Sequence, residues 1–371
     1  MTPRAAAAIP IARPHIGEEE KRQVLRVLES GTLVAGPRVA EFEAAFAGYV
    51  GVAHAVATSS GSTALHVAML ALGIGPGDRV ITTPFTFAAP SHAVIHAGAT
   101  PAFADVESAT CNLDPGAVEH LLRQGGYRAI LVVHLYGLPA DMTALRALAD
   151  RYGVLLIEDC AQAHGAAIGS RRVGAFGHAA IFSFYPTKNM TTGEGGMLVT
   201  PDAETARRAR LLVDPRGDAE YTYEVVGFNF RMTEIAGAIG VVQLAALEAR
   251  NEQRRANARR LTEGLRDLPW LRVPEEPGGY RHVYHQYTVR VAAGRDDLAR
   301  QLTAQGIGNR VYYPALVTQT PAYRQRGFGG TYPNAERLTR QVLSLPVHPS
   351  VRPEEIDAII GAVRAYPGAG R

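Results

Sequence analysis

The stretch SFYPTKNMTTGEGG, residues 183–196, sets a lysine inside a turn rich in Ser, Thr, Pro and Gly, directly after a short apolar, aromatic run. An isolated lysine is by default a surface charge. Lys188 stands out by its setting: a strand-like run from Ala179 precedes it, and the GEGG after it permits close backbone turns. An amine held in a pocket or beside another cation loses basicity and becomes a nucleophile toward an aldehyde.

Two further segments offer matching chemistry. In TSSGSTAL, 58–65, a strand runs into a helix, and the first backbone N–H groups of that helix lie close together. They suit an anion, which the helix dipole also favours; plain N-capping by Ser60 or Ser62 accounts for the same residues. In LLIEDCAQAHGA, 155–166, an apolar strand ends in two acids, on the side of an open α/β sheet where ligands bind. Asp159 either caps a turn or faces a protonated heterocyclic nitrogen, whose charged form a carboxylate favours. Gln162 and His164 follow in the same loop.

A phosphate cradle, an acid at one strand end and a lysine after another form the set that pyridoxal phosphate needs. Ser183 would join Ser62 or Thr63 around the phosphate. Phe87, in PFTFAAP, either lends an aromatic face to the ring or fills the core. The GIGPG at 73–77 follows a helix and precedes a strand, the reverse of a dinucleotide fingerprint, and reads as a tight turn.

The elements that must position these residues alternate. Strands are expected at 54–58, 79–83, 129–134, 154–159 and 179–184. Helices are expected at 18–30, 38–47, 63–73, 113–122 and 141–153, each with a start or stop signal. This order predicts an α/β fold with a mostly parallel sheet covered on both faces. After Gly227 the pattern changes to one long helix, or two with a bend near the glycines, and VYHQYTV reads as a strand. The expected division is a large domain over 1–249, including an N-terminal arm, and a smaller α/β domain over 250–371.

Composition narrows the function. With 371 residues and 47% hydrophobic content the chain can bury a large core. A net charge of +3 without a concentrated basic face argues against nucleic acid. No uncharged apolar run approaches the roughly 18 residues of a membrane span, and the N-terminus has no sustained apolar segment of the signal-peptide kind. Two cysteines without a CxxC point to a reducing, cytoplasmic setting, and no metal is expected.

TLVAGPRVAEFE, TSSGSTALHVAMLALGIGPGDRVITTPFTFAA, VVHLYGLPADM, LIEDCAQAHGA, SFYPTKNMTTGEGGM and GFNFRMTEIAGAIG, in this order, resemble the DegT/StrS-type nucleotide-sugar aminotransferases. These belong to the aspartate aminotransferase superfamily, fold type I, with three layers, and the similarity spans nearly the whole chain. The resemblance implies Lys188 as the lysine that binds the cofactor aldehyde and Asp159 as partner of the pyridine nitrogen. It implies Gln162 at the phenolic oxygen, Ser62, Thr63 and Ser183 at the phosphate, and Phe87 on the ring. Asn229, in GFNFRM, would reach the phosphate of a neighbouring subunit, which implies a homodimer with shared active sites.

Arg231 is expected near the dimer's active site. It and the basic stretch RNEQRRANARR, 250–260, are both candidates for holding a carboxylate or diphosphate; for the stretch, a solvated helix face is the plainer reading. The resemblance also brings His285, Tyr287 and Tyr313 toward the sugar pocket. The implied reaction is transfer of an amino group from an amino acid, L-glutamate, to a keto-sugar nucleotide. A relative branch with histidine in place of the lysine dehydrates sugars, and the lysine here departs from it. A non-nucleotide cyclic ketone as acceptor and a non-catalytic regulatory protein are the alternative readings.

Overall fold

The computed structural model describes residues 8–216 and 223–367. Seven strands form the main sheet: β1 (His54–Thr58), β2 (Arg79–Thr82), β3 (Thr100–Phe103), β4 (Ala129–Val133), β5 (Leu155–Asp159), β6 (Ala179–Ser183) and β7 (Gly196–Thr200). Their spatial order is β1-β7-β6-β5-β4-β2-β3, and only β7 runs antiparallel to its neighbours. Runs such as AILVV in β4 are buried at every position because helices cover both faces. The five expected strands are all present. Thr100–Phe103 and Gly196–Thr200 complete the sheet, and neither carries a clear strand signal. Thr100–Phe103 is four residues long with a proline, and Gly196–Thr200 emerges directly from a glycine turn.

The helices that matter for the site are α1 (Glu18–Ser30), α2 (Pro37–Val50), α3 (Gly61–Ala71), α4 (Ala89–His96), α5 (Pro115–Leu122), α6 (Met142–Tyr152), α7 (Ala203–Val213), α8 (Glu234–Ala245) and α9 (Leu247–Leu265). Of the two expected arrangements after Gly227, the chain forms two helices, and the break falls at Ala246 rather than at the glycines. Gly237 and Gly240 instead let α8 lie directly on α2. A Cβ at Gly237 would stand 2.8 Å from the Val39 nitrogen, and one at Gly240 would stand 2.6 Å from the Phe42 ring. Glu234, 2% exposed, accepts N–H bonds from Gly36 (2.8 Å) and Val39 (3.2 Å) and so supplies the cap that Gly36 cannot.

Beyond α9 a second core forms around an antiparallel sheet of three strands: β8 (Leu271–Arg272), β9 (Tyr287–Val291) and β10 (Val342–Leu345). The expected division at residues 249 and 250 falls inside α9. Leu247 at its start packs in the core of the main sheet, whereas Ala258, Leu261 and Leu265 pack in the second core. Ile9 also joins that second core, since its N–H donates to the Gly306 carbonyl (2.9 Å) and its carbonyl accepts from Gly308 (2.7 Å). Among the described residues no helix is long and apolar enough to cross a membrane.

The backbone of Val39 cannot retreat from a methyl group at Gly237. Gly237→Ala is therefore expected to destabilise the protein by about 1–3 kcal/mol, read as a lowered urea midpoint with an unchanged slope. An unshifted midpoint would mean that α2 and α8 are not closely packed.

Candidate active site

Parallel strands β5 and β6 are neighbours in register, with Asp159 opposite Ile181. Asp159 and Ser183 thus end side by side at the carboxyl edge of the sheet, where open α/β folds bind ligands. The two acids of the LLIED segment separate here because successive strand residues face opposite ways.

Glu158 turns into the fold and is fully buried. Its oxygens accept from the Gly174 (2.8 Å), Phe176 (2.7 Å) and Gly177 (2.7 Å) N–H groups and meet His134 Nε2 at 3.0 Å. His134 Nδ1 in turn accepts the Ala140 N–H (3.0 Å). His134, Glu158 and Cys160 lie within metal-ligand spacing of one another, but these bonds already occupy the histidine and the carboxylate, so the cluster is a structural brace.

Asp159 turns the other way. It is 5% exposed; one oxygen accepts the Ala161 N–H (2.9 Å), and the other has no hydrogen-bond partner among the described residues. Burial pushes its carboxyl above the usual range, while the Ala161 N–H and the Lys188 charge pull it back. Lys188 is half-buried in the turn after β6, its N–H bonded to the Tyr185 carbonyl (2.9 Å). Burial lowers its amine from 10.5 to about 8, against the opposing pull of Asp159.

The start of α3 meets the end of β6 because Gly61 lacks a side chain: a Cβ there would stand 2.6 Å from the Ser183 Cβ. Gly196 likewise leaves no room for a Cβ beside the Ser60 carbonyl. Helical geometry leaves the Gly61 and Ser62 N–H groups without intrahelical partners, and Ser62 is exposed. Thr63 also caps the helix: its hydroxyl donates to the Ser60 carbonyl (2.8 Å) and its N–H to Ser60 Oγ (3.1 Å).

Gln162 Oε1 accepts the Tyr136 N–H (2.8 Å) and its Nε2 donates to the Tyr313 hydroxyl (3.2 Å), which brings Tyr313 to the site as expected. The ring of Phe87 is 61% exposed, an uncovered aromatic face rather than a core residue. His285 also arrives: Nδ1 meets Asn189 Oδ1 at 3.2 Å, and burial together with the Lys188 charge holds the ring well below ordinary histidine basicity. His164 lies behind the site, fully buried against Phe182 and Phe184, and burial and Lys188 lower it to about 3.

One expectation changes. Tyr287 lies in the second core, because the alternation of β9 turns Tyr287, Val289 and Val291 inward; its hydroxyl meets Thr262 at 2.9 Å. Within this chain Arg231 faces a cavity of about 600 Å³ between α2 and α7, where it pairs with Asp214 (3.1 Å), apart from Lys188, Asp159 and Gln162. Asn229 is exposed: the stacked Phe228 and Phe230 rings, 4.6 Å apart, pack against His66, so the residue between them points away from the chain.

Residues missed in the sequence tie the site together. Asn189, next to Lys188, donates to Asn251 of α9 (2.8 Å) and to the Val283 carbonyl (3.1 Å), and Asn251 donates to the His164 carbonyl (2.8 Å). The KN dipeptide is the only sequence signal for this network.

The residues present fit pyridoxal phosphate. A lysine of lowered basicity, a free carboxylate oxygen, a helix start open for phosphate and an uncovered aromatic face share one edge of the sheet. The fold and this set define a pyridoxal-phosphate-dependent aminotransferase of fold type I. Comparison with known proteins gives the narrower identity: the model of the DegT/DnrJ/EryC1/StrS aminotransferase family matches residues 14–364, and the chain belongs to that family.

The crystal structure of Streptomyces venezuelae DesV in complex with a ketimine intermediate superposes with a TM-score of 0.91 at 42% identity, covering 95% of each chain. A UDP-N-acetyl-3-dehydro-α-D-glucosamine 3-aminotransferase of Acidithiobacillus ferrooxidans is 40% identical over 98% of this chain and 99% of its own. A Geobacillus stearothermophilus protein named as a pleiotropic regulatory protein is 39% identical over 94% of this chain and 95% of its own.

Because the folded Lys188 binds its proton less tightly than the unfolded lysine, the charged amine works against folding below about pH 8, and that penalty fades as pH rises toward 10.5. Cofactor-free Lys188→Met is expected to be more stable than the cofactor-free wild type at pH 7, with the difference vanishing by pH 10.5. Urea titrations across this range check it; a pH-independent difference would refute the lowered basicity.

Proposed function

We propose that this enzyme moves an amino group from L-glutamate to the keto-sugar of a nucleotide-sugar, and that Lys188 and Asp159 are its catalytic residues. The observation that carries this reading is that the end of β5, with Asp159, and the turn after its neighbour β6, with Lys188, lie together at one edge of the sheet. They are close enough for each charge to shift the other. The UDP-sugar named for the Acidithiobacillus relative supports a nucleotide-sugar acceptor.

Bound pyridoxal phosphate supplies an aldehyde that takes up the donor's amine and a ring that accepts the electron pair left when the α-proton departs. The protein's own groups do the rest. Lys188, with a pKa near 8, has a substantial neutral fraction close to physiological pH and moves the proton at the donor's α-carbon. The free Asp159 oxygen keeps a proton on the heterocycle nitrogen. A Gln162 amide N–H would hold the phenolic oxygen, Phe87 would cover the ring face, and Ser183 with the Gly61 and Ser62 N–H groups would hold the phosphate.

Asn229 points outward and would complete the phosphate site of a second copy, so we read the active unit as a homodimer. Both cysteines, Cys111 and Cys160, are free and buried, which agrees with a cytoplasmic setting. The regulatory name of the Geobacillus relative raises a second reading, a sensor without catalysis. The chain keeps both a lysine amine and a pyridine-facing acid, which binding alone does not require.

Lys188→Ala is expected to lower amino transfer at least about 100-fold while the protein still folds, and Asp159→Asn to lower it comparably. The visible spectrum of the wild-type holoprotein should change on adding L-glutamate without any sugar. An unchanged spectrum together with native-rate transfer by Lys188→Ala would overturn the catalytic assignment. A panel of keto-sugar nucleotides and free cyclic ketones identifies the acceptor.

A further inference from the structure

Three histidines that the reaction does not use come together where α3 packs on α4. His92 and His96 stand four residues apart on α4, so both leave one face of the helix, and both are exposed. His66, half-buried on α3, faces them. His96 is the middle ring: its centroid lies 6.1 Å from that of His92 and 5.8 Å from that of His66.

Two imidazoles that share a tetrahedral ion, each bonded at about 2 Å, hold their ring centres about 5 Å apart. The spacings here exceed that by about an ångström, a gap that rotation of the exposed rings closes. Histidines at i and i+4 of a helix make a two-pronged metal ligand, because one turn brings both rings to the same side. One prong is already held. The His92 ring stacks on buried Tyr323 at 5.7 Å, and the Tyr323 hydroxyl meets Ser91 Oγ at 2.6 Å. Burial and then the His96 charge lower the basicity of both His66 and His92, so these two rings offer free lone pairs near neutral pH.

We propose that His66, His92 and His96 bind a divalent transition-metal ion of the Zn²⁺ type and that this ion ties α4 to α3. The inference does not depend on the aminotransferase reading, and it departs from the expectation that the chain binds no metal. A ligand set made only of imidazoles suits Zn²⁺, Ni²⁺ or Cu²⁺ rather than the oxygen-seeking Mg²⁺ and Ca²⁺. Arg326, whose charge also reaches His92, opposes a cation and keeps the affinity moderate. The two helices give the ion its consequence. α3 starts at the phosphate cradle and α4 starts two residues after Phe87, so a bridge between them fixes two elements that begin at the cofactor site.

The test is calorimetric titration of holoenzyme without a purification tag, using Zn²⁺ and, separately, Mg²⁺. The wild type should take up one Zn²⁺ per chain and no Mg²⁺, and its melting temperature should rise with Zn²⁺. His96→Ala and His92→Ala should each weaken Zn²⁺ binding at least about tenfold and remove the rise in melting temperature. His66→Gln should weaken binding as well, whereas His120→Ala, at an exposed histidine on α5, should change nothing. Visible absorbance of the cofactor in each variant checks that the fold is intact. A wild type that takes up no Zn²⁺ overturns the proposal. So does uptake that His92→Ala and His96→Ala leave unaltered, or that Mg²⁺ matches. Native Zn²⁺ binding in His66→Gln overturns the bridge between the helices.

Discussion

An amine held away from water across from a carboxylate is the constraint on which the rest of this molecule depends. Burial lowers the basicity of Lys188 and raises the carboxyl of Asp159, and each charge pulls the other back. The balance leaves the lysine less basic than a free one, at about 8. Such a balance survives only if the strand ends, the lysine turn and the start of α3 keep their places. Most of the fold can be read as the means of keeping them there.

Three kinds of support do this. Glu158 gathers three backbone N–H groups from the loop at 174–177 and holds β5 against it, which aims the next residue, Asp159, at the site. Missing side chains at Gly61 and Gly196 let α3 press on the ends of β6 and β7. The Asn189–Asn251 amide pair fastens the lysine turn to α9. A buried polar network of this kind adds specificity because an amide that shifts leaves donors unsatisfied.

The setting of Asp159 and Lys188 was legible because both sit where local patterns are strongest: apolar runs that stop abruptly at Asp159 and at the turn around Lys188. The parallel sheet was legible for the same reason. What escaped was decided by tertiary context. The bond from the Thr63 hydroxyl to the Ser60 carbonyl depends on how the helix start closes on itself. Tyr287 falls on the inward side of β9, a matter of register that a motif does not encode. The charge run on α9 reads as one solvated face, and only the packing of α9 between two cores separates buried Arg254 from exposed Arg259 and from Arg250, Arg255 and Arg260, which pair with carboxylates. Gly237 and Gly240 suggest a bend, whereas they serve a helix contact between residues almost 200 positions apart.

The clasp between Ile9 and the backbone at Gly306 and Gly308 joins segments separated by nearly three hundred residues. A ribosome makes the first of these long before the second, so the N-terminal arm has no docking place while most of the chain is being synthesised. Residues 11 and 12, which follow the clasp, also line the cleft at Arg254. The enclosure around that arginine is therefore finished only after the segment at Gly306–Gly308 has been made, and until then this cleft stays open.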